Sequence, residues 1–532
     1  MSNPATASSN TQASAWSPLR IPVFRALWIA TVVSNIGTWM HDVGAGWMMT
    51  TLTDSPVMVA MVQTATTLPI FLLAMSAGAL SDILDRRRYI LVMQVWMTAV
   101  AALLAVLTFG GLSSAWVLLL LTFALGVGQA MMLPAWAAIT PELVPRSELK
   151  QAIALNSMGI NVARAIGPAL AGGIIAVSGS GAVFALNALS FCGVMVVLYR
   201  WQRTPVVSEL PAERFFGALR AGMRYARHSS ALHAALIRGG GFFLFASAAW
   251  ALLPLVAKGM VNGGPQAYGL LLASLGGGAV GGALLLPRIQ SRYSSDVLVA
   301  ATTLLYAATM LVLAIEHRLL PLCLAMAAAG VAWISVLSSL RVAAQLSLPD
   351  WVRARGLSVF MTVFMGSMAL GSLLWGKVAA LSDISVALLV ASAGSVVSVI
   401  VTWRWKLADI EGLDLTPSMH WPAPLVHEGV EVDQGPVLIT IEYQVRQGCR
   451  AEFLKALSRL APSRLRDGGY GWGVYEDTEK ANCFIESFHA DSWLEHLRQH
   501  ERVTADDRQL QQKVESQLQE GSQPLVRHFV AP

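Results

Sequence analysis

The chain has 532 residues, of which 55% are hydrophobic and only 13% charged. Soluble domains carry about 25% charge, so this composition excludes a soluble globular protein and calls for extensive burial in lipid. The formal net charge of +5 reads as a bias in membrane loops rather than as a nucleic-acid footprint.

Residues 1–17 are rich in Ser, Thr, Ala and Asn and are expected to be disordered. No basic segment followed by a short apolar core is present in them, so a cleavable signal peptide is not expected. Apolar runs of about 20 residues, the length that crosses a bilayer, then follow at 24–50, 56–80, 89–110, 114–138, 151–177 and 180–199. A second set falls at 237–258, 267–287, 296–315, 319–345, 356–380 and 382–403. The expected fold class is all-α and membrane-embedded: twelve transmembrane helices in two six-helix halves, 18–200 and 237–406. Residues 201–236 join them as an Arg-rich amphipathic linker, with a helical pattern over Phe215–Ala226, expected to lie on the inner membrane surface.

The first span holds Asn35, His41 and Asp42. An ionisable group inside a span costs about 2.5–3.5 kcal/mol on insertion scales and faces a cavity or the bundle interior. Asp42 is therefore the first candidate for substrate contact or proton coupling, the alternative being a structural pair with an arginine. His41 titrates near neutrality and is either a proton relay or a packing residue. Arg164 in the fifth span and Arg341 in the tenth are further candidates, free either to meet an anionic group or to snorkel toward the interface.

Between the second and third spans lies Gly78-Ala-Leu-Ser-Asp82-Ile-Leu-Asp85-Arg86-Arg87-Arg88. Arginines beside a span hold a loop in the cytoplasm. This stretch resembles the signature loop of the major facilitator superfamily, with Ile83 where a basic residue is usual and Asp85 where glycine is common. The resemblance implies a gating loop built from Gly78, Asp82, Arg86, Arg87 and Arg88. In the fifth span, Ala163-Arg-Ala-Ile-Gly167-Pro168-Ala-Leu-Ala-Gly172-Gly173 is similar to the superfamily's antiporter motif, with Ala163 at its first glycine. Pro168 removes a helix hydrogen bond and the small residues permit close helix crossing. Thr53-Asp-Ser-Pro56, Leu68-Pro69 and the proline series Pro134, Pro141, Pro145 and Pro168 resemble the branch holding enterobactin-exporter and macrolide-efflux-like permeases. That membership implies a bacterial inner-membrane exporter, driven by the proton gradient without other cofactor, whose partners are a small hydrophobic or amphipathic molecule and the bilayer. Basic residues collect in the loops of one side, which places both termini in the cytoplasm.

The halves echo each other: Thr140-Pro-Glu-Leu-Val-Pro-Arg146 parallels Ser347-Leu-Pro-Asp-Trp-Val-Arg353. Past a polar linker at 407–434, residues 435–532 change character. Strand patterns at Val437–Val445, Tyr470–Glu476, Cys483–Phe488 and Pro524–Val530 alternate with helical ones at Ala451–Leu460, Ser492–His500 and Asp506–Leu518. This order suggests a small cytoplasmic ferredoxin-like α+β domain. It is similar in pattern to the dimeric α/β-barrel family, which includes cofactor-free monooxygenases. A second reading makes the tail a sensing or enzymatic domain that acts on the cargo through a ligand site around Trp472, Trp493, His496 and His489, and a third makes it a homodimerisation module whose strands pair across two protomers. His496 and His500 are four apart on a helix, a spacing that binds metal, but the expected reading is a solvated face with no metal site. The four cysteines show no metal-ligand spacing.

Overall fold

A computed structural model describes residues 14, 16–201, 215–260, 263–407, 413–421, 431 and 433–531. Residues 1–13, Arg203, Arg214 and the side chains of Gly78 and Asp82 lie outside the described residues. The chain packs as two compact units. The first takes residues 1–212, 240–337 and 362–401, and the second takes 213–239, 338–361 and 402–532.

The helices follow the apolar runs closely. They are α1 (Pro22–Leu52), α2 (Pro56–Ile83), α3 (Arg86–Phe109), α4 (Ala115–Leu143), α5 (Leu149–Arg200), α6 (Phe215–His228), α7 (Ser230–Leu255), α8 (Pro265–Gln290), α9 (Ser295–Ile315), α10 (Leu319–Leu346), α11 (Arg353–Leu381) and α12 (Ile384–Thr402). Ten helical stretches among the described residues are long and apolar enough to cross a membrane. α1, with 31 residues, is also long enough, but Asn35, His41 and Asp42 dilute its apolar character. α5 runs for 52 residues, roughly 78 Å at the α-helical rise, more than twice a hydrocarbon core of about 30 Å. It is interrupted at Gly179, whose φ of 76° is a left-handed value that only glycine adopts freely. The turn falls inside Ser178-Gly-Ser-Gly181, between the fifth and sixth apolar runs.

Helix starts follow local chemistry. Pro22, Pro56 and Pro265 stand in the first turns of α1, α2 and α8, where a missing N–H costs nothing. The Asp85 carboxylate accepts the Arg88 backbone N–H at 2.9 Å and caps α3. Asp85 thus has a local reason to replace the common glycine.

In the second unit, the tail forms β1 (Val437–Gln444), α13 (Arg450–Asp467), β2 (Tyr470–Glu476), β3 (Cys483–Ala490), α14 (Trp493–Arg502), α15 (Ala505–Glu515) and β4 (Leu525–Val530). The strands make one antiparallel sheet in the order β2-β3-β1-β4. β1 alternates buried and half-buried positions, so Val437, Ile439, Ile441 and Tyr443 share one face. Phe453, Leu457 and Leu460 of α13, with Phe484 and Phe488 of β3, close the core on that face.

α6 was expected to rest on a membrane surface. Among its described residues, Gly222, Tyr225 and Ala226 are buried while Arg220, Met223 and Arg227 are exposed. The Tyr225 hydroxyl donates to the Ser347 carbonyl at 2.8 Å, and its ring meets Trp351 edge-on at 5.9 Å. Arg466 of α13 stacks over Tyr225 at 5.5 Å and Arg502 of α14 over Trp351 at 4.4 Å.

Candidate functional site

The polar residues of α1 are spaced so that Asn35, Trp39, Asp42 and Gly46 fall on one face, at steps of four, three and four. Asn35, Trp39 and Asp42 are all half-buried. A Cβ built on Gly46 would lie 2.9 Å from the Tyr268 hydroxyl of α8, so that phenol sits one turn from Asp42. Among the described residues no cation pairs with Asp42. The structural arginine pair left open by the sequence is absent there.

Arg164 of α5 faces the same region. Its guanidinium lies 5.6 Å from the centre of the Trp39 ring. Its Nε and Nη1 are buried with no hydrogen-bond partner. A guanidinium has five donors and no acceptor, and a desolvated one with open donors is suited to a carboxylate, phosphate or other anionic group. Trp39 also approaches Trp250 of α7 at 6.3 Å, and Trp250 approaches Trp333 of α10 at 5.2 Å. Phe243 and Phe364 join Trp333 at 5.5 and 6.1 Å. Guanidinium and aromatic wall thus meet at Trp39, with the Asp42 carboxylate farther along the same face of α1, a combination suited to an amphipathic molecule with an ionisable group.

The remaining candidates separate from this group. His41 is buried against Phe184 of α5, with ring centres 4.8 Å apart and both nitrogens unpartnered. It points away from the Asp42 face, as expected for an adjacent residue on a helix. Arg341 is exposed and belongs to the other compact unit. Sequence reading overlooked Trp250 and Tyr268. Trp250 is one of four aromatics in its apolar span and Tyr268 stands alone in its own, patterns that composition reads as packing or interfacial belt.

The antiporter-like segment forms a close crossing of α5 with α8. A Cβ on Gly269 would fall 2.5 Å from the Pro168 carbonyl oxygen and 2.9 Å from the Gly172 Cα. One on Gly172 would fall 2.8 Å from the Pro265 carbonyl. These are backbone atoms and cannot rotate aside. Gly167 packs on Trp39 of α1, while a Cβ on Gly173 would meet nothing within 4 Å. Gly269→Val is therefore expected to cost about 3 kcal/mol through overpacking and to lower the thermal unfolding midpoint in detergent. Gly173→Val should leave that midpoint nearly unchanged.

At the signature loop, Arg86 pairs with Glu142 of α4 at 2.9 Å. Arg87 donates to the carbonyls of Leu198 and Tyr199 at 2.7 and 2.6 Å, at the carbonyl-rich end of α5 where a cation is favoured. Arg88 is exposed. Glu142 lies inside the Thr140-Pro-Glu segment noted for its echo, but pairing across 56 residues leaves no signal in spacing.

In the second unit, Glu486 of β3 is fully buried. It accepts from Arg464 Nε at 3.2 Å, Trp472 Nε1 at 2.9 Å and the Tyr443 hydroxyl at 2.8 Å. Of the tail's ligand-site candidates, Trp472 is thus tied to Glu486, whereas His489 stacks on Tyr470 at 5.5 Å. Trp493 lies against His496 and His528 at 5.5 and 5.7 Å. The solvated face expected for the histidine pair is not found: His496 is only 1% exposed. It is covered because β4 runs beside β1 and brings His528 over α14. Burial, reinforced by the neighbouring imidazoles, pushes His496 down to about 3 and His500 down to about 4. Both are therefore neutral at physiological pH.

A profile of the family described as transmembrane secretion effector matches residues 13–532. The chain is 26% identical over 348 residues to a staphyloferrin A transporter of Staphylococcus aureus, covering 64% of this chain and 85% of that protein. It is 23% identical to macrolide efflux protein A of Streptococcus pyogenes, over 52% of this chain and 69% of the relative. An enterobactin exporter of Salmonella choleraesuis is 29% identical over 49% of this chain and 63% of its own length. Among solved structures, a bacterial homolog of the human lysosomal transporter Spinster in an inward-facing, unoccupied conformation superposes with a TM-score of 0.54 at 16% identity, covering 74% of this chain and 96% of that one. A peptide-transporter (POT) family structure gives 0.59 at 12% identity, over 71% and 94%. These likenesses are to transporters and not to enzymes, and the structural ones carry the fold alone. The chain belongs to the transmembrane secretion effector family and has the fold of a major facilitator superfamily transporter.

Proposed function

We propose that the chain exports a small amphipathic molecule across a bacterial inner membrane by proton antiport, with alternating access between two six-helix halves. The observation that carries this reading is Arg164, whose buried Nε and Nη1 have no hydrogen-bond partner among the described residues, set against the aromatic wall of Trp39, Trp250 and Trp333, with Asp42 on the Trp39 face of α1 and no cation paired to it among the described residues. Asp42 is the proton-coupling group and Arg164 the anchor for an anionic part of the cargo. The names of the relatives, two of them efflux proteins or exporters, support the direction.

α1 together with the ten apolar stretches, one of them broken at Gly179, gives twelve spans in this reading. The basic loops put both termini in the cytoplasm, where Arg86–Glu142 and Arg87 act as the latch of the N-terminal half. The tail is a ferredoxin-like domain, in keeping with its strand order. β4 is an edge strand with Leu525, Val526 and Phe529 exposed. Such an edge pairs readily with a second copy, so homodimerisation through the tail belongs to the same proposal.

The test is uptake of candidate amphipathic compounds into inverted vesicles under an imposed proton gradient. Asp42→Asn is expected to lose the gradient-driven component, at least roughly tenfold, while inserting normally and keeping downhill flux. Gradient-driven uptake that persists in Asp42→Asn would make Asp42 structural. Transport that ignores the gradient in the parent would remove antiport.

A further inference from the structure

The strongest unassigned cluster outside the membrane helices is a group of three imidazoles in the tail. His496 and His500 stand one turn apart on α14, and His528 comes from β4. One ring nitrogen from each lies within 4.8 Å of the others. Nε2 of His496 and Nε2 of His500 face each other at 3.3 Å. A tetrahedral ion with Zn–N bonds of 2.0–2.1 Å sets its ligand nitrogens about 3.3 Å apart. The helical pair is thus already spaced as two ligands of one ion. The rings of His496 and His528 are 4.7 Å apart, so His528 reaches the same point from across the sheet.

The surroundings fit a held ion better than a set of packed rings. Two facing imidazole nitrogens can share one proton, but a third has no use for it, and a divalent cation satisfies all three. Trp493 closes one side and Trp421 lies against His500 at 4.9 Å, so the cluster sits in an aromatic cup. The nearest fixed cation, Arg464, is already bound by Glu486. His420 bonds Gln511 at 3.2 Å and stays outside the group.

We propose that His496, His500 and His528 bind a divalent transition ion of the zinc class. Three neutral nitrogen ligands suit Zn2+, Co2+, Ni2+ or Cu2+ and not Mg2+ or Ca2+, which prefer oxygen. Three protein ligands leave a fourth position for water or for a donor atom of a small molecule. This site does not depend on the transport reading.

The test uses the full-length protein in detergent, stripped with a chelator and titrated with Co2+. The expected result is one ion per chain, with the visible d–d bands of a four-coordinate nitrogen-rich site, displaced by Zn2+. His528→Gln, on a half-buried strand, should weaken binding by roughly a hundredfold, as losing a ligand costs at least as much as losing the groups that orient one. His489→Gln, outside the cluster, should bind as the parent does. Absence of saturable binding in the parent would overturn the proposal. So would binding that His528→Gln and His500→Gln leave unchanged while both variants keep the parent's thermal unfolding midpoint.

Discussion

Glu486→Gln is expected to destabilise the C-terminal α/β region by about 3–5 kcal/mol, the cost of breaking a buried ion pair from one side. The carboxylate is fully buried and is the shared acceptor for Arg464, Trp472 and Tyr443. Glutamine keeps the shape but turns one acceptor into a donor, which must face one of three donors already present. Arg464, only 3% exposed, is left with its charge uncompensated. Hydrogen exchange of β1 and β3 in the full-length protein is the measurement, and both strands should lose protection together. Replacing Glu486 and Arg464 by leucine in the same chain should recover only the part due to the stranded charge, because Trp472 and Tyr443 still lose their acceptor. Equal damage in the double variant would show that the acceptor for Trp472 and Tyr443, and not the charge pairing with Arg464, holds the strands.

Arg164→Met should lower gradient-driven transport of an anionic substrate by about a hundredfold, within the 2–5 kcal/mol that a lost buried charge partner costs. Methionine retains much of the chain's bulk beside Trp39 but offers no donor. Initial uptake rates in inverted vesicles, compared for anionic and neutral compounds of similar size, separate two roles. Loss confined to the anionic compound identifies an anion anchor. Equal loss for both would assign Arg164 to holding Trp39, through their 5.6 Å stacking contact. Arg164→Lys should recover only part of the anionic rate, since an ammonium lacks the guanidinium's planar fork.

Much of this molecule was legible in its sequence because lipid imposes a simple rule. Backbone groups in hydrocarbon must bond internally, so each apolar run of sufficient length becomes a helix, and the structural boundaries lie within a few residues of the expected ones in most spans. The tail's alternation was equally readable, from Val437 through Val530. Helix facing was not. Asp42 was picked from the cost of burying a charge, but whether it met an arginine or a cavity depends on how α1 is rotated. Asn35, Trp39 and Asp42 could be put on one face by counting, yet Trp250 and Tyr268 come from helices whose rotation no local pattern records. Glu142 and His528 illustrate the same limit. Each completes a group begun by residues far away in the chain, and pairing distance in space has no counterpart in spacing along the sequence.

The contacts of α6 bear on how the molecule is made. Tyr225 and Trp351 present their rings to Arg466 and Arg502, residues that leave the ribosome only after α6 and the helices up to α12 have been synthesised. Until the tail is synthesised, those two rings lack these cation partners. Within the second unit, Tyr225 and Trp351 therefore gain their guanidinium partners only once the chain has been made as far as Arg502.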